Sequence, residues 1–241
     1  MKKSAGSKRK KLKKIRALLA LFLIVVITPP FIALFYLFPT HLRALRRLCG
    51  QMFLRPLRLD IRFFGELDKE AQIIMLNHQS FLDVIFMEAL HPNNLCWIAK
   101  KQLGDVFLYG HALKAPRMIL IDREDKKGLL NLIKISKERL KEGRVLAIFP
   151  EGTRGKGERF LPFKQGAKVL AEKFDLRIQP IVIVHSRALF DLAGLSVGGT
   201  QAHFIALPAR KSSDSPTWYE EMREEMQAIH DEHLAQIRAL G

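Results

Sequence analysis

An α/β fold, with a mixed β-sheet covered by helices and a helical segment ahead of it, is the architecture these 241 residues predict. Two observations carry the prediction. From residue 63 onward, short apolar, β-branched stretches alternate with stretches whose apolar residues recur at helical spacing. Before that point lies an uncharged apolar run, 17–40, with almost all of the chain's excess positive charge gathered around it. The chain therefore divides into a segment 1–62 and a body 63–241.

Charge decides what the N-terminal segment is for. A net +16, from 40 Lys+Arg against 24 Asp+Glu, invites a nucleic-acid partner. Its distribution removes that reading: residues 1–62 hold 15 Lys/Arg and one acid, Asp60, for a net +14, whereas 63–241 carry only +2. An apolar content of 48% excludes a disordered chain. Only two cysteines, Cys49 and Cys96, exclude a disulfide scaffold and fit a reducing compartment.

At about 1.5 Å of rise per residue, the run 17–40 is long enough to cross a hydrocarbon core of roughly 30 Å. Three readings compete. A cleaved signal peptide lacks its A-x-A site here. A single kinked span is compatible with proline, which membrane helices tolerate. A re-entrant hairpin is favoured, because Pro29 and Pro30 split the run into pieces of about 12 and 8–10 residues, each too short to span. Cations mark the cytoplasmic side, and they stand on both flanks, from Lys2 to Arg16 and from Arg43 to Arg58. Residues 42–59 mix Leu, Phe and Met with Arg in an amphipathic pattern suited to the headgroup layer. There each cation is worth about 1 kcal/mol against an anionic surface. The segment 1–62 thus reads as a membrane anchor, with hairpin 17–40 followed by amphipathic 42–59.

In the body, 72–76 is a short buried strand, 80–90 a helix closed by Pro92, and 95–99 a second strand. Residues 118–121 form a third, ahead of the charged turn Asp122 to Asp125. Residues 129–141 are helical, ended by Gly143. Strand 145–149 stops at Pro150, helix 165–174 follows, and 178–184 is a continuous β-branched strand. Strand 201–207 precedes a last helix from Pro216 to Leu240, whose Met222, Met226, Ile229 and Ile237 make a face to pack on the body.

Two clusters carry chemistry. The first is Asn77, His78, Gln79, Ser80, Phe81, Leu82 and Asp83. His78 and Asp83 are five apart, about 140° around a helix modulo one turn, so both cannot face one another from a single helix. The histidine belongs to the loop leaving the strand, and the aspartate to the first helical turn. Ser80 with Asp83 also matches a capping box, so Asp83 serves as a cap, an orienting carboxylate for a histidine base, or both. The second cluster is Phe149, Pro150, Glu151, Gly152, Thr153 and Arg154. Its glycine admits close approach of an anion, and its hydroxyl and guanidinium suit phosphate. A plain strand-end turn is the alternative. Glu151 is the odd member, expected either to hold Arg154 or to accept a substrate hydroxyl. Arg123 offers a second cation to the same phosphate or pairs with Glu124 or Asp125. Lys100, just past a strand, is a solvated lysine or an oxyanion donor.

A match to the GxSxG nucleophile elbow, residues 194–198, is set aside because a turn and strand follow Ser196 where the elbow needs a helix. The histidines show no zinc-ligand spacing, and no Walker loop or GxGxxG is present. No metal is expected.

NHQSFLD followed about 70 residues later by FPEGTR, with IDR between and FLPFKQG and IQPIVIV after, resembles the glycerolipid acyltransferases, and among them the bacterial 1-acylglycerol-3-phosphate acyltransferases. The likeness covers roughly 63–210. It implies that family's fold, with His78 as catalytic base and Asp83 as its orienting carboxylate. It also implies that Glu151, Gly152, Thr153 and Arg154 bind the acceptor's phosphate, with Arg123 contributing. The implied reaction passes a fatty acyl group from acyl-CoA or acyl carrier protein to the sn-2 hydroxyl of lysophosphatidic acid, giving phosphatidic acid without a resident cofactor. The motifs leave open a different lysophospholipid, glycerol 3-phosphate or a lyso-aminolipid as acceptor. A non-enzymatic basic membrane-binding protein is the rival from another class. The expected partners are membrane lipids, lysophosphatidic acid and the thioester donor. The expected place is the cytoplasmic (inner) membrane, with the body on its cytoplasmic face.

Overall fold

The computed structural model describes residues 2–122, 127–156 and 158–240. The chain opens with helix α1 (Lys2–Leu37), turns through Pro39–His41 and continues as α2 (Leu42–Leu57). Pro29 and Pro30 do not break α1. Each proline removes a backbone donor, so the carbonyls of Val25 and Val26 lose their usual partners. Both valines lie on the outward face, with Val25 67% exposed. On the inward face Ile27, Phe31 and Phe35 are buried together against Leu42, Leu45 and Cys49 of α2, and that packing carries the helix through the prolines. The turn expected within 17–40 is therefore absent, and the chain changes direction at Pro39–His41 instead.

Next come β1 (Asp60–Phe64), β2 (Ile73–Leu76), α3 (Phe81–Leu90), β3 (Leu95–Lys100), α4 (Tyr109–Lys114), β4 (Ile119–Ile121), α5 (Gly128–Lys141) and β5 (Val145–Ile148). They are followed by α6 (Gln165–Phe174), β6 (Arg177–Val184), α7 (Ser186–Leu189), β7 (Phe190–Asp191), β8 (Ser196–Val197), β9 (Gln201–Ala206), β10 (Arg210–Lys211) and α8 (Trp218–Ala239). All six strands expected in the body form, and the four expected helices begin and end within about two residues of their predicted places. The stripe Met222, Met226 and Ile237 of α8 is buried as its spacing predicts.

One eight-stranded sheet runs in the order β1-β9-β6-β2-β5-β3-β4, with β10 also on β6. The central strands β6, β2, β5, β3 and β4 pair in parallel, whereas β9 and β10 run antiparallel to β6. Burial follows the pairing: β2 and β5 are buried at every residue, as parallel strands covered on both faces require. The strand β1 was not expected. Its burial alternates along Asp60, Ile61, Arg62, Phe63 and Phe64, and the charged residues make it read as a continuation of the amphipathic segment. It pairs in parallel with β9, so the expected division at 62/63 falls inside a strand.

The helical pair shares the main core. Ala17 and Ala20 of α1 and Phe53 and Leu57 of α2 are buried in the same cluster as the sheet. Gly50 lets α2 approach α3 closely, since a Cβ there would stand 3.0 Å from the Ile85 carbonyl oxygen. The approach is fixed electrostatically. Arg46 donates to Glu88 Oε1 at 2.7 Å and to the Leu95 carbonyl at 3.0 Å, and Trp97 Nε1 donates to the same Glu88 oxygen at 2.7 Å. Replacing Arg46 by Ala strands a buried carboxylate, so Arg46→Ala should cost about 3 kcal/mol. Removing both charges in Arg46→Ala/Glu88→Leu should recover much of that. Thermal unfolding in detergent checks both, and a double variant no better than the single one contradicts the account.

Candidate active site

Adjacent parallel strands end at the same edge of a sheet, which is where α/β proteins place their ligands. Here β2 delivers the loop 77–80, its neighbour β5 delivers 149–155, and β3 ends at Lys100 on the other side of β5. Sequence distance between the two motifs is thereby removed.

The first motif is built from alternating roles. Asn77 is buried and completes the sheet, donating to the Ile183 carbonyl at 2.8 Å and accepting from the Ile183 amide at 2.7 Å. Gln79 Oε1 accepts from the Ser186 amide at 3.1 Å. Between these two clamps His78 is held against the cavity, its ring stacked on Phe149 at 3.8 Å and 14°. Phe149 in turn stacks on Trp97.

Asp83 does both things its position allows. Ser80 caps α3 and accepts from the Leu82 amide at 3.0 Å, while Asp83 Oδ2 accepts from the amides of Gln79 at 2.7 Å and Ser80 at 2.8 Å. The same oxygen stands 2.8 Å from His78 Nδ1, and Ser186 Oγ donates to Oδ1 at 2.6 Å. The carboxylate is wholly buried. Four donors converge on it, and its Oδ2 beside the ring favours the Nδ1–H tautomer of His78. The free nitrogen, Nε2, has no protein partner among the described residues and faces a cavity of about 330 Å³.

Gly152, Thr153 and Arg154 line that cavity, as does Lys100. Arg154 forms no ion pair with a carboxylate among the described residues, so its guanidinium is available to an anion. Gly152 has φ +73°, a conformation that favours glycine and lets the loop turn back. Glu151 corrects the expectation placed on it. It is buried, its Oε1 accepts from the His78 amide at 2.9 Å and its Oε2 from the Leu161 amide at 2.8 Å. It neither holds Arg154 nor faces the cavity; it ties the two motifs and the segment around Leu161 together. Gly155 adds a second tie, donating to the His78 carbonyl at 2.7 Å. Arg123 lies outside the described residues. The GxSxG stretch spans part of the β7–β8 turn and β8, with Ser196 on β8 and a strand, β9, as the next element.

Residues that the sequence did not single out complete the site. Ser186 secures Asp83 across 103 positions of sequence, with no local signal to mark it. Tyr109 and Trp97, beside Phe81 of the first motif, wall the cavity. The same residues border a second, mostly apolar cavity of about 280 Å³ between α1, α2, α3 and α4, lined further by Ile27, Phe31 and Phe53.

Burial raises the Glu151 carboxyl above the ordinary glutamate range, opposed only partly by the two amides it accepts from. Its stabilising contribution is therefore complete below the unfolded value of about 4.3 and is lost as pH rises through the raised folded value. Glu151→Gln abolishes that dependence and leaves one amide unpaired, at about 1–3 kcal/mol. Melting curves of both proteins across acid to neutral pH should show their gap widest at the acid end; a gap that widens towards neutrality refutes this.

Comparison with known proteins agrees with the geometry. Residues 58–184 match the family model described as Acyltransferase. A 1-acyl-sn-glycerol-3-phosphate acyltransferase of Helicobacter pylori is 49% identical over 199 residues, covering 82% of this chain and 84% of that one. One of Saccharomyces cerevisiae is 33% identical over 138 residues, covering 55% of this chain and 46% of that one. The crystal structure of a 1-acyl-sn-glycerophosphate acyltransferase from Thermotoga maritima superposes with a TM-score of 0.75 over 96% of this chain and 98% of that one, at 18% identity, and so shares the fold. This chain, with its histidine and aspartate joined beyond the end of β2, belongs to the acyltransferase family.

Proposed function

We propose that the chain transfers a fatty acyl group from a thioester, acyl-CoA or acyl carrier protein, to the sn-2 hydroxyl of lysophosphatidic acid, giving phosphatidic acid. The observation that carries this reading is the His78–Asp83 pair, 2.8 Å apart, with Nε2 turned into a cavity that also holds Arg154. The named relatives act on the same acceptor class.

His78 Nε2 takes the proton of the acceptor hydroxyl as its oxygen attacks the thioester carbon. Asp83 stabilises the imidazolium so formed. The C–S bond then breaks and the imidazolium protonates the departing thiolate, so the histidine returns neutral and no acyl-enzyme is needed. Lys100, on the cavity wall, is placed to meet charge developing on the carbonyl oxygen. Arg154, with the Gly152–Thr153 backbone beside it, holds the acceptor's phosphate and sets its hydroxyl against His78; such positioning removes several kcal/mol of barrier. The apolar cavity beside Phe81 and Trp97 suits an acyl chain. A thioester is already activated, so no metal or resident cofactor enters the scheme.

Membrane attachment fits both substrates. Helix α1 is long and apolar enough to cross a membrane between Ser7 and Leu37. Its Ala17–Ala20 face is buried on the body, however, while Leu18, Phe22 and Val25 point outward. That packing favours α1 lying in one leaflet of the cytoplasmic membrane beside the body, with the body reaching the cytosolic donor.

In an assay on lysophosphatidic acid, His78→Ala should lower turnover by about 10³-fold; near-wild-type turnover removes the histidine from the chemistry. Arg154→Ala should raise the acceptor's KM about ten-fold or more and leave the donor's unchanged. Labelling of single cysteines beyond residue 63 should proceed only from the cytoplasmic side, and external labelling overturns the one-leaflet arrangement.

A further inference from the structure

A second basic cavity lies apart from the one that holds His78. It has about 390 Å³ and is lined by Lys156, His185, Arg187 and Arg238, with Glu158 and Asp191 as its acids. Both acids are engaged: Arg238 pairs with Glu158, and Asp191 Oδ1 accepts from the Gly194 amide at 3.1 Å. Among the described residues Lys156 has no ion pair, and Arg187 donates to the Gly155 carbonyl at 3.3 Å.

Two further cations arrive from α1. Gly198 and Gly199 have φ +87° and +84°, and side chains of α1 occupy the space a Cβ would take. A Cβ at Gly198 would stand 2.5 Å from Arg16 Nη1, and one at Gly199 2.3 Å from Lys13 Cε. The two glycines thus seat Arg16 and Lys13 beside the β7–β8 hairpin. Burial holds His185 below the ordinary histidine range, opposed by its hydrogen bond to the Gln201 carbonyl and reinforced by the charges of Arg238 and Lys13. Like charges gathered this closely repel, and a bound polyanion relieves them.

A groove lies between this cavity and the active site and shares lining residues with both. The basic cavity shares Gln79, Arg187 and Asp191 with the groove, and the groove shares Arg154 and Tyr109 with the cavity of His78. An extended molecule with its reacting carbon at one end and phosphates at the other fits this path. The acceptor does not, because its phosphate lies within a few bonds of its hydroxyl and is served by Arg154.

We propose that Lys156, His185, Arg187 and Arg238, with Lys13 and Arg16 at the rim, bind the diphosphate and 3′-phosphate of coenzyme A while its pantetheine arm runs along the shared groove to His78. The proposal rests on acyl transfer from a thioester as the reaction. Phosphate is also the chemistry of an anionic lipid headgroup, so the test separates the two sources.

Coenzyme A is titrated calorimetrically into the detergent-solubilised full chain, a measurement that needs no turnover. Lys156→Gln/Arg238→Gln, two exposed positions, should weaken binding about ten-fold or more, and dephospho-coenzyme A should bind the wild type more weakly than coenzyme A. In the assay the same variant should raise the KM for acyl-CoA by a similar factor without moving the acceptor's KM or kcat. Binding to phosphatidylglycerol vesicles should be unchanged. Unchanged coenzyme A affinity overturns the proposal. So does loss of vesicle binding with an unaltered donor KM, which assigns the cations to lipid, and so does a KM raised for acyl carrier protein alone, which assigns them to an acidic protein surface. Absence of product from the wild type would instead refute the acyl-transfer reading, while the titration still decides the coenzyme A site.

Discussion

The Asp83 carboxylate is where the loop after β2 meets the start of α7, and the site depends on its geometry. It accepts from the amides of Gln79 and Ser80 at the start of α3, from Ser186 after β6, and from His78 after β2. Each donor fixes the carboxylate in a different direction, so the imidazole attached to it has little freedom left. A histidine in a loop leaving a strand would ordinarily sample several rotamers. Here the loop is fastened to β6 through Asn77, to α7 through Gln79 and to the loop after β5 through Glu151. The general principle is that a reactive group is held by supports whose own positions are settled by packing and hydrogen bonds.

The division of labour inside the two motifs follows from burial. Asn77, Gln79, Asp83 and Glu151 are buried polar residues, and each finds partners in backbone groups that would otherwise be unsatisfied. His78, Gly152, Thr153 and Arg154 border the cavity. An acid beside an anion site looks misplaced until its two oxygens are traced to the His78 and Leu161 amides. Glu151 then serves as the brace that ties the loop of His78 to the segment around Leu161.

Much of this was legible in the sequence. Strands buried on both faces are continuous apolar runs, so β2, β5 and β6 stand out. The loop position of His78 followed from helical geometry alone. What stayed hidden was long-range or masked by charge. Ser186 sits in no pattern, because its role is defined only once β6 lies beside β2. The strand β1 alternates correctly, yet Asp60 and Arg62 occupy its outward positions and blend into the basic segment before it. The two prolines in α1 argued for a turn on local grounds, and tertiary packing of Phe31 and Phe35 on α2 outweighed them.

The anchor and the catalytic body are joined more closely than a tether would require. Ala17 and Ala20 are fully buried, and small residues at these two positions let α1 lie tightly against the body. One to two turns further along the same helix, Ile24 borders both the groove beside Arg154 and the apolar cavity, where Ile27, Phe31 and Phe35 follow it. A bulkier residue at Ala17 or Ala20 would lift the helix and open that wall. The outward side of α1 carries Leu18, Phe22 and Val25, the surface that meets lipid in the reading above. On that reading a single helix presents one face to the membrane and uses the other to close the cavities in which an acyl chain would lie. The segment with most of the charge and most of the exposed apolar surface is therefore also a wall of the apolar cavity, and removing it would leave that cavity without a side.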